Sequence, residues 1–357
     1  MRKNVFILCC LGMVILLNHS AFSQKITIEK SYPEAFLRAY DNYVNKNYAA
    51  SFEQFSALVE QTPQDREELL QDIMFYRASS AYEMMNKDAD ALLCEFISLC
   101  PQSAHCNEAY FLLANFYARG ERYDQAIEVY SKMNVAILNQ DDKFEYYYKR
   151  GHCLFMLNRY DEALEEFDKV KDAKSKFAAP STYFYAHILY EQGRYNLALK
   201  EFLTLQEDKS FGKIVPYYIA HIYYYQENYE ELIKIAPSLS EKSQSKRSGE
   251  LNRMLGDAYY KLGQYKEATP YLIKAAEQEG ADVQDYYLLG FSLMEEKDFK
   301  QAKTYLAKAI EKKDSLAQNA LYHLGICCIE TNDKSNAKAM FKEASEMDFD
   351  MTIKEKA

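Results

Sequence analysis

Residues 144–175 read FEYYYKRGHCLFMLNRYDEALEEFDKVKDAKS. Tyr147, Gly151 and Leu154 recur at the three- to four-residue spacing of one helix face. Asn158-Arg159 makes a turn, and Tyr160-Asp161-Glu162-Ala163 opens a second helix whose inward stripe is Ala163, Phe167 and Val170. Gly151 and Ala163 are small, which lets two helix backbones approach closely. The stretch predicts one helical hairpin.

The same beat returns along the chain. Ala39, Ser79, Ala114, Gly151, Ala186, Ala220, Gly256, Gly290 and Gly325 repeat the first small position at steps of 34 to 40 residues. Ser51, Ala91, Ala126, Ala163, Ala198, Leu232, Ala268, Ala302 and Ala337 repeat the second, always twelve residues later. A fixed period in this range is the mark of a solenoid. The predicted fold is an all-α solenoid of about nine antiparallel helix–turn–helix repeats, curved into a right-handed superhelix.

The pattern Gly-x-x-Leu … Arg-Tyr-x-x-Ala-x-x-x-Phe resembles the tetratricopeptide repeat, a 34-residue helical hairpin. Gly256-Asp257-Ala258-Tyr259 with Gly263-Gln264-Tyr265-Lys266-Glu267-Ala268 is the nearest copy. Ala114 with Arg122-Tyr123-Asp124-Gln125-Ala126, and Gly290 with Phe299-Lys300-Gln301-Ala302, follow it. An aromatic opens the second helix at Tyr48, Tyr123, Tyr160, Tyr195, Tyr229, Tyr265 and Phe299, and residues 32–348 are mostly covered. The departures are specific. No copy has the family's Trp, the second has Asp88 in the aromatic position and Glu95 in a large apolar one, and the sixth has Leu232 in the small slot. Pro237 is expected to cut that helix short, because proline removes a donor. Ser238–Ser248 then marks a hinge between six repeats (24–248) and three (249–348). Residues 349–357 read as the start of an incomplete further repeat, which would fray or continue in a longer array.

The chain opens with Arg2-Lys3, an apolar run from Val5 to Leu17, and a polar tail ending Ala21-Phe22-Ser23. That pattern predicts a signal peptide over 1–23, cut ahead of Gln24, since a membrane span needs about 20 apolar residues. Cys9 and Cys10 lie inside the apolar run, a poor place for lipid attachment. The remaining chain is expected to be periplasmic or secreted, with no membrane span. A signal peptide followed by many such repeats resembles periplasmic tetratricopeptide proteins of Bacteroidota-type bacteria. With a formal net charge of −10 and no basic block, nucleic acid is a poor partner. Among the six cysteines beyond residue 23, Cys100 and Cys106 flank an inter-helix loop and form the best candidate disulfide; the other reading is six small buried hydrophobes.

Each first helix has one face for its own second helix and another for the inside of the superhelix. Positions three before, one after and four after the first small residue share that second face. The central repeats place Tyr148-His152-Phe155, Tyr183-His187-Tyr190 and Tyr217-His221-Tyr224 there, with Tyr287 further on. Tetratricopeptide proteins bind extended peptides or helices in this inner groove, so the resemblance implies a protein or peptide ligand on these ten residues. Two readings stay open: ligand contact, or inter-repeat stacking with a histidine–tyrosine hydrogen-bond ladder. The histidines sit on successive hairpins on the order of 10 Å apart. Zinc needs ligands at about 2 Å, so metal binding is not expected, nor is a cofactor. There is no phosphate loop, His-Glu-x-x-His or Gly-x-Ser-x-Gly, so the sequence predicts a non-catalytic envelope scaffold. The alternative is glycan or small-ligand capture on the same tyrosines.

Overall fold

The computed structural model describes residues 32–242, 246–278 and 280–357. The predicted signal peptide, and residues 243–245 of the predicted hinge, lie outside the described residues. The described chain is all-α and builds nine hairpins. The first four pair α1 (Glu34–Val44) with α2 (Tyr48–Gln61), α3 (Glu67–Glu83) with α4 (Ala89–Leu99), α5 (Cys106–Arg119) with α6 (Tyr123–Ser131), and α7 (Gln140–Met156) with α8 (Tyr160–Asp168). The next three pair α9 (Ala178–Glu191) with α10 (Tyr195–Thr204), α11 (Val215–Tyr225) with α12 (Tyr229–Lys242), and α13 (Lys246–Lys261) with α14 (Tyr265–Ala276). The last two pair α15 (Val283–Glu295) with α16 (Phe299–Lys308), and α17 (Ser315–Glu330) with α18 (Lys334–Ser345), before a short α19 (Met351–Lys356).

The chain divides into two compact units, one ending at Tyr185 and one starting at Ala186. In the first, α1 touches α3, α3 touches α5 and α5 touches α7. In the second, α11, α13, α15 and α17 do the same. Each hairpin thus covers the apolar face of its neighbour, the only way a two-helix unit this thin can bury one.

All nine hairpins turn the same way. One residue with φ between 56° and 72° follows the first helix: Lys46, Met85, Glu121, Asn158, Gly193, Glu227, Gly263, Lys297 and Asn332. The next residue donates its N–H to the carbonyl five residues back, from Asn47 to Asn42 in the first hairpin and from Asp333 to Cys328 in the last, at 2.7–2.9 Å in every turn. This is a Schellman ending. It lies seven residues after the small position in eight hairpins, and in the second hairpin seven after Ala78 rather than Ser79. The second ladder moves by two. Ala89 is fully buried whereas Ala91 is exposed, and a short turn at 87–88 precedes α4 where the other hairpins place an aromatic or charged residue directly. The sequence ladder is corrected there to Ala78 and Ala89.

The small position exists for one contact. A Cβ on Gly151 would meet the Phe167 ring at 3.0 Å, on Gly256 Leu272 Cδ2 at 2.5 Å, on Gly290 Leu306 Cγ at 2.7 Å, and on Gly325 the Phe341 ring at 2.7 Å. Each partner lies sixteen residues on, and Phe55, Tyr130, Phe167, Phe202, Leu272 and Leu306 in that row are wholly buried.

Three further expectations change. Helix α12 runs through Pro237 to Lys242 instead of stopping. Proline forfeits one backbone donor, and burial of Leu232 and Ala236 on that helix outweighs it. Cys100 and Cys106 are free; the Cys106 thiol donates to the Cys100 carbonyl oxygen at 2.8 Å. The C-terminal stretch does not fray, because α19 docks on α17 and α18. Fully buried Gln318 ties it down, donating to the carbonyls of Ala344, Met347 and Asp350 and accepting from the Asp350 N–H at 2.6 Å.

Two stability measurements follow from the turn and the contact. Met85 is 77% exposed in left-handed backbone at φ 56°. The left-handed conformation costs a side chain about 1–2 kcal/mol, whereas glycine's extra chain entropy costs about 0.5–1. Met85→Gly is expected to raise urea-unfolding stability by roughly 0.5–1 kcal/mol. Gly290→Ala should do the reverse. Alanine gains about 1 kcal/mol in helix propensity. Its Cβ, however, would sit 2.9 Å from the Leu306 backbone nitrogen, which cannot rotate aside. Overpacking of this kind costs about 1–3 kcal/mol, so a net loss of up to roughly 2 kcal/mol is expected in the same assay.

Candidate ligand-binding face

The ten residues singled out from sequence all project from first helices, and the structure sorts them by what braces them. In the unit ending at Tyr185, the Tyr148 ring stacks on Phe177 at 5.3 Å. His152 meets Phe184 edge-on at 5.2 Å, Phe155 leans on it at 5.1 Å, and Tyr183 crosses it at 5.5 Å. Tyr148 and Tyr183 are buried; His152 and Phe155 are half-buried. Phe184 is the hub of this cluster. It lies one residue after the aromatic row, which the sequence reading followed, and its signal was only that it is large and apolar.

In the unit starting at Ala186 the equivalent hub is Tyr218, wholly packed and stacked on Phe202 at 4.9 Å. His187 and Tyr190 meet it edge-on at 5.5 and 5.4 Å. Tyr217 lies over His221 with centroids 4.3 Å apart. His187 and His221 are buried, whereas Tyr190, Tyr217, Tyr224 and Tyr287 keep part of their surface in solvent. Tyr287 packs beside Phe291 and His323, at 6.2 and 6.1 Å.

Polar partners cross from hairpin to hairpin in each unit. Tyr43 and Ser79 share a hydrogen bond at 2.8 Å. Tyr217 donates to Glu250 Oε2 and Tyr224 to Asp257 Oδ2, both at 2.6 Å. Arg253 interrupts the aromatic row and grips Asp285 through two bonds of 2.6 Å. Asp285 is 1% exposed and also closes the capping box that starts α15. Asp257 stands one past Gly256 on the face that spacing marks, but Glu250 and Asp285 lie at positions it does not, and none of the three pairings could be read without the preceding hairpin.

Among the described residues, no group of three His, Cys, Asp or Glu side chains could hold a metal ion, and no helix is long and apolar enough to cross a membrane. Burial pushes the His152, His187 and His323 imidazoles from 6.5 down to about 4, and lowers His221 as well. Glu108 moves the other way. Burial first, then the charges of Asp142 and Glu83, raise its carboxyl to about 8.

Two tetratricopeptide-repeat family models match this chain, one over residues 144–173 and the other over 108–132, 251–282, 286–311 and 318–351. The chain therefore carries tetratricopeptide repeats. The matches fall on the third, fourth, seventh, eighth and ninth hairpins, and the other four share the same turn geometry. The signal recognition particle subunit SRP72 of Dictyostelium discoideum is 26% identical over 220 residues. That covers 60% of this chain, which spans about a third (31%) of that relative's length. Similar solved structures include the C-terminal part of a TPR repeat-containing protein from Cytophaga hutchinsonii, 23% identical with a TM-score of 0.46, covering 67% of this chain and 95% of that one. A tetratricopeptide repeat protein from Parabacteroides merdae is 16% identical with a TM-score of 0.44, covering 73% of this chain and 98% of that one.

The perturbed groups set a pH profile. Unfolded histidines bind protons below 6.5 that the buried ones refuse until about 4, so stability falls as pH drops through that interval. Glu108 holds its proton when folded up to about 8 but releases it near 4.5 when unfolded, so its contribution is lost as pH rises through that range. The four lowered histidines outnumber the raised carboxyls, Glu108, Glu83 and Asp142, on the acid side. The thermal midpoint is expected to peak at about pH 6.5, and Glu108→Gln should flatten the alkaline decline while leaving the acid limb in place.

Proposed function

We propose that the protein is a non-catalytic interaction scaffold of the cell envelope whose first helices bind an extended segment of a partner protein. The observation that carries this reading is the state of the aromatic row. Its rings are braced from the next hairpin, yet Tyr190, Tyr217, Tyr224 and Tyr287 keep solvent-facing surface. A pre-ordered aromatic offers large contact area with little further entropy to lose, and its hydroxyl supplies a polar handle. The repeat architecture supports an interaction role. The envelope location rests on the Arg2-Lys3 start and the apolar Val5–Leu17 run alone.

A photo-crosslinking phenylalanine analogue at position 217 tests the face directly. Incubated with envelope extract, it is expected to capture a protein species that the same analogue at exposed Lys200, on second helix α10, does not. Equal labelling from both positions would defeat the assignment. Retention on a polysaccharide column, lost on Tyr217→Ala, would favour glycan capture instead.

A further inference from the structure

The junction of α11 and α13 carries polar groups that ring stacking does not use. Tyr217 and Tyr224 each occupy one oxygen of a carboxylate, Glu250 Oε2 and Asp257 Oδ2. Asp257 is only 5% exposed, and its other oxygen, Oδ1, is buried with no hydrogen-bond partner. His221 projects from α11 between the two tyrosines with 5% of its side chain exposed. Its Nε2 is buried without a hydrogen-bond partner and stands 3.8 Å from Glu250 Oε1. The imidazole is neutral at pH 7, since burial lowers its pKa, and so it does not balance the two carboxylates. Arg253, one turn from both acids, is committed to Asp285.

Neither His221 nor Arg253 neutralises these carboxylates, so the junction gains most from an incoming cationic donor. Two carboxylates repel an anion. A metal ion is also a poor occupant, because no three ligating side chains converge among the described residues. What fits is a positive group with several N–H donors on an apolar stem, whose head meets the carboxylates and whose stem lies on the tyrosine rings.

Building on the scaffold reading, we propose that this junction is a subsite for one lysine or arginine side chain of the extended partner segment. Half-exposed Glu250 receives its donors through Oε1, the oxygen that Tyr217 leaves open; Asp257, two turns along α13, adds negative charge that draws the cation, and the tyrosine hydrogen bonds hold both carboxylates in place beforehand.

The test uses a phage-displayed library of unconstrained 12-residue peptides, selected on the purified protein and remade synthetically. Selected peptides are expected to share a lysine or arginine at one fixed position. Changing that lysine to norleucine, or arginine to citrulline, should weaken binding about tenfold on the natural protein, and less than about twofold on the double variant Glu250→Gln, Asp257→Asn. The amides still accept from Tyr217 and Tyr224, and an unchanged thermal midpoint verifies that the variant is folded. Peptides that bind without a fixed cation, or an equal loss on both proteins, would overturn the subsite and leave the scaffold reading standing. Failure to select any peptide would overturn both.

Discussion

The close approach of two helices inside each hairpin is the constraint on which the rest of the structure depends. A small residue on the first helix faces a large one sixteen residues later: Gly151 and Phe167, Gly256 and Leu272, Gly290 and Leu306, all three partners fully buried, and Gly325 and half-buried Phe341. Where the large residue presses closest, only a hydrogen fits. Where a methyl is present, as at Ala39, Ala114 and Ala186, Phe55, Tyr130 and Phe202 still pack to zero exposure. Interior packing registers a change of even one methylene, so each pair is tuned locally rather than drawn from one template.

That contact fixes the turn. The chain must reverse within a few residues, and the Schellman ending does so with one left-handed residue and two backbone bonds. Only two of the nine left-handed positions, Gly193 and Gly263, are glycine. The others carry Lys, Met, Glu or Asn and accept strain, so the conformation is imposed by helix packing and not by the turn residue. The same logic explains α12, where buried Leu232 and Ala236 carry the helix through Pro237.

The hairpin order, the number of hairpins and the ladders of small positions were legible in the sequence because the close contact demands a particular size at a fixed interval; the large partner sixteen residues on was not, since Phe167 read only as one member of an inward stripe. The second hairpin misled by one residue, since Ala78 and Ser79 are both small and both fully buried, and nothing in composition separates them. The site was legible only in part. Periodicity placed Tyr148, His187 and Tyr217 on one face, but could not say that the face meets the next first helix. Phe184 and Tyr218 therefore went unnoticed, although most of the row packs on them. Glu250 and Asp285 escaped for a related reason: their meaning depends on a tyrosine or arginine one hairpin earlier.

Stacking and specificity are carried by the same geometric relation. The tyrosine four residues past the small position reaches the residue one past the small position of the next hairpin. Near one end of the chain that relation joins Tyr43 to Ser79, and further along it joins Tyr224 to Asp257. The first pairing is neutral. The second puts a carboxylate in the same place and leaves one buried oxygen over. The stack needs only a hydrogen-bonding partner for the tyrosine, and serine or aspartate serves equally. What remains after that need is met is free to differ between hairpins. A repeat fold can thus change what it recognises, one hairpin at a time, without disturbing the contacts that hold it together.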